Sequence, residues 1–279
     1  MTNKILVLLV MALVNTATVF PSRADSLRID SLLDASSKRC YKTDSERLLF
    51  FAKSFIGTPY KGGTLDAGEN ETLIVRTDSL DCTTYVETVL ALYQSSFKDN
   101  PGYDDFSEAL RYIRYRGGVI DGYASRLHYF SDWASDNEKK DILQEVTKKG
   151  EHDVRICSLN YMTTHSDLYR QLKGNDSLIS EIRNVEKSWI GYKMPYIPKN
   201  VLDSSEDDLP VEDGDILALT TNISGLDVLH LGFALWIDGR LHLLHASSLH
   251  GKVIIDTSTV FDYLKNRSKH TGIRVIRIK

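Results

Sequence analysis

The chain has 279 residues, of which 42% are hydrophobic and 26% charged, with a formal net charge of −4 and a pI near 6.1. That balance excludes charge-driven binding to nucleic acid or to an anionic membrane. The length suffices for one sizeable core or two small ones. In chain order, Lys4 precedes an uncharged apolar run, Ile5 to Val14, and Ser22-Arg23-Ala24 ends in small residues at the positions a signal peptidase reads. We therefore expect residues 1–24 to be an export signal, cut after Ala24. The run is too short for a stable membrane span. The charged stretch that follows, DSLRIDSLLDASSKR, argues against an uncleaved anchor, and Cys40 is too far on for a lipid-attachment site. No later segment is apolar enough to span a membrane, so residues 25–279 are expected to be soluble, periplasmic or secreted.

Residues 25–56 read as helical, with SERLLFFAKSFIG an amphipathic helix that Gly57 ends. A turn-rich loop, 57–81, delivers the chain to LDCTTYVETVLAL. There Asp81 can cap a helix that Cys82 opens and that runs to about Ser96, with Val86, Val89, Leu90 and Tyr93 at helical spacing. FSEALRYIRYRGG is a further helix ended by Gly117-Gly118. Residues 119–200 mix short elements: a loop with GYASRLHYFSDWASDN, a helical or strand stretch after Lys140, and NDSLISEIRNVEKSWIGY. An acidic linker, Val201 to Pro210, separates this half from a strand-rich one. DILALTT, VLHLGFALWI, RLHLLHASS and GKVIIDTS read as four strands, with Asp238-Gly239 a hairpin turn. FDYLKNR and GIRVIRIK close with a short helix and a strand. Helices first, then an antiparallel meander, is an α+β order.

A thiol in the first turn of a helix feels the positive end of the backbone dipole, which favours the nucleophilic thiolate. Three cysteines leave one unpaired. Cys40 and Cys157 could form a disulfide, which sequence alone does not settle, and Cys82 is then the spare thiol. A buried inert cysteine is the commoner fate of a lone Cys, but the helix start after an aspartate argues against it here. His230 and His245 lie on neighbouring predicted strands, where diagonal pairing or a bulge would bring them together. His242 competes as the third residue, but its odd spacing from His245 points it to the opposite face. Glu87 lies roughly 140° around the helix from Cys82 and should face away from the thiol. A structural hydrogen bond is its better reading. Arg111 to Arg116 reads as a solvated helix face. His152, His165, His250 and His270 have no paired spacing. There is no H-E-x-x-H, C-x-x-C or G-x-S-x-G, so neither a metal nor a serine triad is expected, nor any cofactor.

The ordered set GTPYKGG…LDCTTYVE…DGDILAL…LHLGFALWIDGRLHLLHASS resembles the NlpC-type papain-like cell-wall hydrolases, and within them the N-acetylmuramoyl-L-alanine amidase-like branch. The likeness covers roughly residues 46–279. It implies one papain-like domain over residues 25–279, elaborated at about 119–200, with the nucleophile at a helix start packed on a C-terminal antiparallel sheet. It matches Cys82 to the nucleophile, His230 to the general base and His245 to the residue that orients it. Tyr60 would lie near the thiol, as an oxyanion donor or a substrate contact, or else as a loop aromatic packed on the helix. Asp81 is equally a helix cap or a substrate contact. Arg126, His128, Tyr129, Asp132 and Trp133 read as a substrate wall, or as a structural segment with an aromatic anchor. The function implied is hydrolysis of the lactyl amide between N-acetylmuramic acid and L-alanine in peptidoglycan or muropeptides, by a monomer. The alternatives are a D-γ-glutamyl-diaminopimelate endopeptidase and a non-catalytic muropeptide-binding protein.

Overall fold

The computed structural model describes residues 22–66, 68–147 and 153–279. The apolar run at 5–14 and His152 lie outside them. Ser22 caps α1 (Arg23–Ser37), accepting from the Asp25 N–H at 3.2 Å, and Thr43 caps α2 (Asp44–Lys53). The helical stretch expected at 25–56 is thus two helices. Next come α3 (Cys82–Ser95) and α4 (Tyr103–Arg114). Helix α4 buries the stripe Phe106, Leu110 and Ile113 at i, i+4 and i+7. Helix α3 is different: every residue from Thr84 to Tyr93 is buried, so it is a central helix enclosed on all sides. A rigid central helix fixes the position of the residue that opens it.

Residues 122–137, expected to be a loop, include the greater part of α5 (Phe130–Lys139). Its local sequence offers no N-cap side chain. Asp227 supplies one from far along the chain, its Oδ2 accepting from the Ser131 N–H at 2.6 Å. The middle block continues as β1 (Leu143–Glu145), β2 (Asp153–Cys157), α6 (Tyr161–Thr164), α7 (Asp176–Lys187) and β3 (Tyr192–Pro198). Around Leu159, Met162, Leu172, Ile182 and Met194 it has a small apolar cluster of its own.

The strand half follows the sequence closely: β4 (Ile216–Thr221), β5 (Val228–Ile237), β6 (Arg240–Ser247), β7 (Lys252–Thr259), α8 (Val260–Lys265) and β8 (His270–Ile278). All pairings are antiparallel, in the order β2-β3-β8-β4-β5-β6-β7, with β1 also on β8. The fold is therefore α+β, as expected, but β1 and β3 add the middle block to the same sheet. On one sheet face Ile216, Ala218, Phe233, Leu244 and Ile276 pack against α2 to α4. On the other, Leu217, Leu219, Leu243 and Val275 meet Val260 and Leu264 of α8, together with Leu202 and Leu209 from the acidic stretch. Two covered faces explain why all six residues of β4 are buried. Cys40 is exposed and Cys157 buried, and both are free thiols, so the pairing left open by the sequence is not formed. Among the described residues no helix is long and apolar enough to cross a membrane.

Candidate active site

Asp81 ends an extended segment and caps α3. Its Oδ1 accepts from the Thr84 N–H at 2.8 Å, while the Thr84 hydroxyl accepts from the Asp81 N–H at 2.9 Å. Such reciprocal capping contributes about 1 kcal/mol and fixes the first turn. Cys82 is the first residue of that turn, half-buried, with a backbone N–H that the helix itself leaves without a partner. The preceding loop is tied down on both sides. The Tyr60 N–H donates to the Gly251 carbonyl at 2.8 Å and the Leu80 N–H to the Pro59 carbonyl at 2.9 Å. Tyr60 is thereby held beside Asp81 and Cys82. Burial first, then both of those neighbours, push its phenol up to about 12, so it stays a donor.

His230 and His245 are in contact. His230 Nε2 lies 2.5 Å from His245 Nδ1. The reason is a diagonal pairing across β5 and β6. Phe233 faces Leu244, so one step on Gly232 faces His245, and His230 lies two residues further along the same face. Gly232 is required there: a Cβ on it would come within 2.8 Å of His245 Cβ and 2.8 Å of Leu243 Cδ1. Tyr263 of α8 covers the pair, its ring centre 5.8 Å from that of His245 and 6.4 Å from that of His230. On the far side of His245, Nε2 lies 3.5 Å from Asp256 Oδ2 on β7. Asp256 did not stand out in the sequence, being one acidic residue in a strand among 38 Asp and Glu. His242 donates its Nδ1–H to the Asp256 carbonyl at 3.0 Å and takes no part in the pair.

The electrostatics differ from the simple dipole expectation. Burial, with Asp81 adding to it, pushes the Cys82 thiol up to about 11, although hydrogen bonds from Leu231 and Thr83 pull the other way. Burial likewise pushes His230 down to about 3, with His245, His270 and Arg267 adding to it. His245 comes down to about 4, burial outweighing the carboxylate of Asp256. The resting pair is therefore a neutral thiol and a neutral imidazole. A raised thiol pKa means a small thiolate fraction at pH 7 that grows as the pH rises. Alkylation of Cys82 by iodoacetamide, followed by peptide mass spectrometry to separate it from exposed Cys40, should be slow at pH 7 and climb steadily to pH 10. A rate already on a plateau between pH 5 and 8 would show a preformed thiolate–imidazolium pair instead.

Cys82 and His230 line one cleft of about 100 Å³, with Leu127, His128, Phe130, Trp133 and Asp227 among its walls. Of the five wall residues expected from the sequence, His128 and Trp133 are there. His128 donates Nε2–H to the Tyr123 carbonyl at 2.8 Å, and burial pushes its ring down to about 3, so Nδ1 is an acceptor. Trp133 is buried and its indole N–H has no hydrogen-bond partner among the described residues. The other three are engaged elsewhere. Arg126 pairs with Asp66 at 2.5 Å and Glu71 at 3.3 Å. The Tyr129 hydroxyl donates to Glu186 at 2.8 Å. Asp132 pairs with Arg116 at 2.6 Å. The arginine-rich turn of α4 is likewise partnered, not solvated, with Arg114 buried on Glu87 at 2.7 Å.

A thiol at a helix start, sharing a cleft with a histidine that a second histidine contacts, is a constellation for acyl transfer. The sequence also matches, over residues 50–273, the model of the AmiA-like family, described as N-acetylmuramoyl-L-alanine amidase-like. The chain belongs to that family. The chain is also similar to solved structures. An N-acetylmuramoyl-L-alanine amidase from Bacteroides uniformis is 38% identical, covering 85% of this chain and 99% of its own, with a TM-score of 0.80. A Bacteroides fragilis protein described provisionally as a xylanase is 43% identical, covering 81% and 99%, with a TM-score of 0.77. A Legionella pneumophila protein is 25% identical, covering 91% and 94%, with a TM-score of 0.67. None of the curated proteins compared is significantly similar. Membership of this amidase-like family makes a hydrolase acting in peptidoglycan chemistry the frame for the site.

Proposed function

We propose that this chain is an exported cysteine amidase of the papain-like NlpC type, hydrolysing the amide between the lactyl group of N-acetylmuramic acid and L-alanine in muropeptides. The observation that carries the mechanism is the shared cleft of Cys82 and His230, with His230 Nε2 occupied by His245. The family match and the amidase from B. uniformis support the choice of bond.

His230 Nδ1, the nitrogen not directed at His245, takes the thiol proton as Cys82 Sγ attacks the lactyl carbonyl carbon. A tetrahedral oxyanion forms, held by the Cys82 backbone N–H at the positive end of α3 and by the Tyr60 hydroxyl. The C–N bond then breaks, the proton passes from His230 to the leaving L-alanine nitrogen, and the lactyl group remains as a thioester. Water attacks the thioester carbon, giving one proton to His230. The C–S bond breaks, and that proton returns to the sulfur. His245 orients His230 throughout and steadies the imidazolium. Asp81 holds the first turn, and His128 Nδ1 reads the substrate beside the Trp133 side chain. Residues 1–24 direct export, and the remainder acts as a monomer, periplasmic or secreted. A glycosidase needs two carboxyl groups about 5–9.5 Å apart. Among the described residues that line the cleft the one carboxylate is Asp227, whose two oxygens accept backbone N–H groups of Ser131 and Val228.

The test is mass spectrometry of a disaccharide-tetrapeptide incubated with residues 25–279. Free disaccharide plus intact tetrapeptide is the expected result. A disaccharide-dipeptide would assign the endopeptidase bond instead, and the absence of any product would favour a binding protein.

A further inference from the structure

His230, His245 and Asp256 lie in one line across three adjacent strands. Ile254 on β7 faces His245, so Asp256, two residues on, is its diagonal neighbour on the same face, as His230 is from the β5 side. Asp256 is 4% exposed and is pinned by its own turn, Oδ1 accepting from the Ser258 N–H at 2.9 Å and its carbonyl from His242. Oδ2 is left facing His245 Nε2 at 3.5 Å, and that nitrogen is buried with no closer hydrogen-bond partner among the described residues. We infer that Asp256 is a positioning residue that selects the tautomer of His245 and, through it, that of His230. The inference rests on the amidase reading only in the rate it would change.

Two neutral imidazoles joined Nε2 to Nδ1 share one proton between those atoms, and it can belong to either ring. If His245 carries it on Nδ1, His230 Nε2 is the acceptor and His230 Nδ1 holds a proton, which makes it useless as a base toward the thiol. If His245 carries its proton on Nε2, then Nδ1 accepts, His230 Nε2–H donates, and His230 Nδ1 presents a lone pair. An ionised carboxylate only accepts, so Asp256 beside Nε2 selects the second arrangement. Its negative charge also offsets the imidazolium that forms on His230.

Asparagine at 256 would keep the size, give its oxygen to Ser258 and turn its NH2 toward His245 Nε2, which selects the opposite tautomers. Long-range ¹⁵N–¹H spectra of the histidines at neutral pH read this directly. The wild-type chain should show Nε2–H at both His230 and His245, and Asp256→Asn should show Nδ1–H at both. On a muropeptide the same variant should lose about 10⁴-fold in kcat with KM unchanged, the scale of an Asp→Asn change that leaves a catalytic histidine in the wrong tautomer. Nδ1–H on His245 in the wild type overturns the inference, as does a variant with full kcat. The wild-type spectrum decides even if Asp256→Asn does not fold. It also separates the two readings: Nε2–H tautomers in a chain that cleaves no muropeptide would leave the positioning intact and remove the amidase.

Discussion

Cys82→Ala should lose at least about 10⁴-fold in muropeptide hydrolysis while keeping the thermal midpoint of the parent chain. The thiol is half-buried at a helix end, and the cap that fixes the turn belongs to Asp81 and Thr84, so removing sulfur costs chemistry and little packing. His230→Ala should fall by a similar factor. Because the two act as one unit, the double variant should be no slower than either single variant. Product release followed by mass spectrometry over a day gives the range needed. A Cys82→Ala chain with more than a tenth of the parent rate would end the cysteine mechanism. Strictly multiplicative losses in the double variant would show that thiol and imidazole act separately.

The largest effect on stability is expected from Glu87→Ala. Glu87 and Arg114 are each 2% exposed and join α3 to α4, and the guanidinium also donates to the Ile74 carbonyl at 2.7 Å. Burial pushes the Glu87 carboxyl up, and the charge of Arg114 opposes that shift. Deleting the carboxylate leaves a buried cation without its counter-charge, which costs about 3–5 kcal/mol. For a chain of this size that lowers the thermal midpoint by about 10 °C. Replacing both partners, Glu87→Leu with Arg114→Met, should recover most of the loss, since an apolar pair carries no desolvation cost. Calorimetry of the three chains checks this, and a Glu87→Ala midpoint within 2 °C of the parent would refute it.

Where the determinants were local, the sequence could be read. LDCTT carries its own cap, so Asp81 and the start of α3 were visible. Asp238 and Gly239, with φ of 50° and 71°, carry their own turn, so the β5–β6 hairpin was too, and with it the diagonal approach of His230 to His245. Where a determinant lies far along the chain, the local sequence does not carry it. Helix α5 reads as loop because its N-terminal acceptor is Asp227, 96 residues on. Arg126, Tyr129 and Asp132 have the chemistry of a substrate wall, but their partners, Asp66, Glu186 and Arg116, are brought in by tertiary contacts. Asp256 gains its meaning only from the register of three strands. The thiol pKa follows the same division: the dipole is a local effect, whereas the burial that pushes the thiol up comes from contacts far along the chain.

The place of β8 has a consequence for how the molecule is made. His270–Ile278 lies between β3 and β4, and β1 also pairs with it. Of the described strands it is the last to leave the ribosome. Until it does, β4 has one neighbour where the finished sheet gives it two, β1 has none, and β3 has only the five-residue β2. The start of α5 is already held by Asp227 at the entry to β5 and by Arg116 after α4, so what β8 alone supplies is the strand that joins β1 and β3 to the sheet. Completion of the sheet therefore waits on its last strand: β1 and β3 join β4 only through residues 270–278.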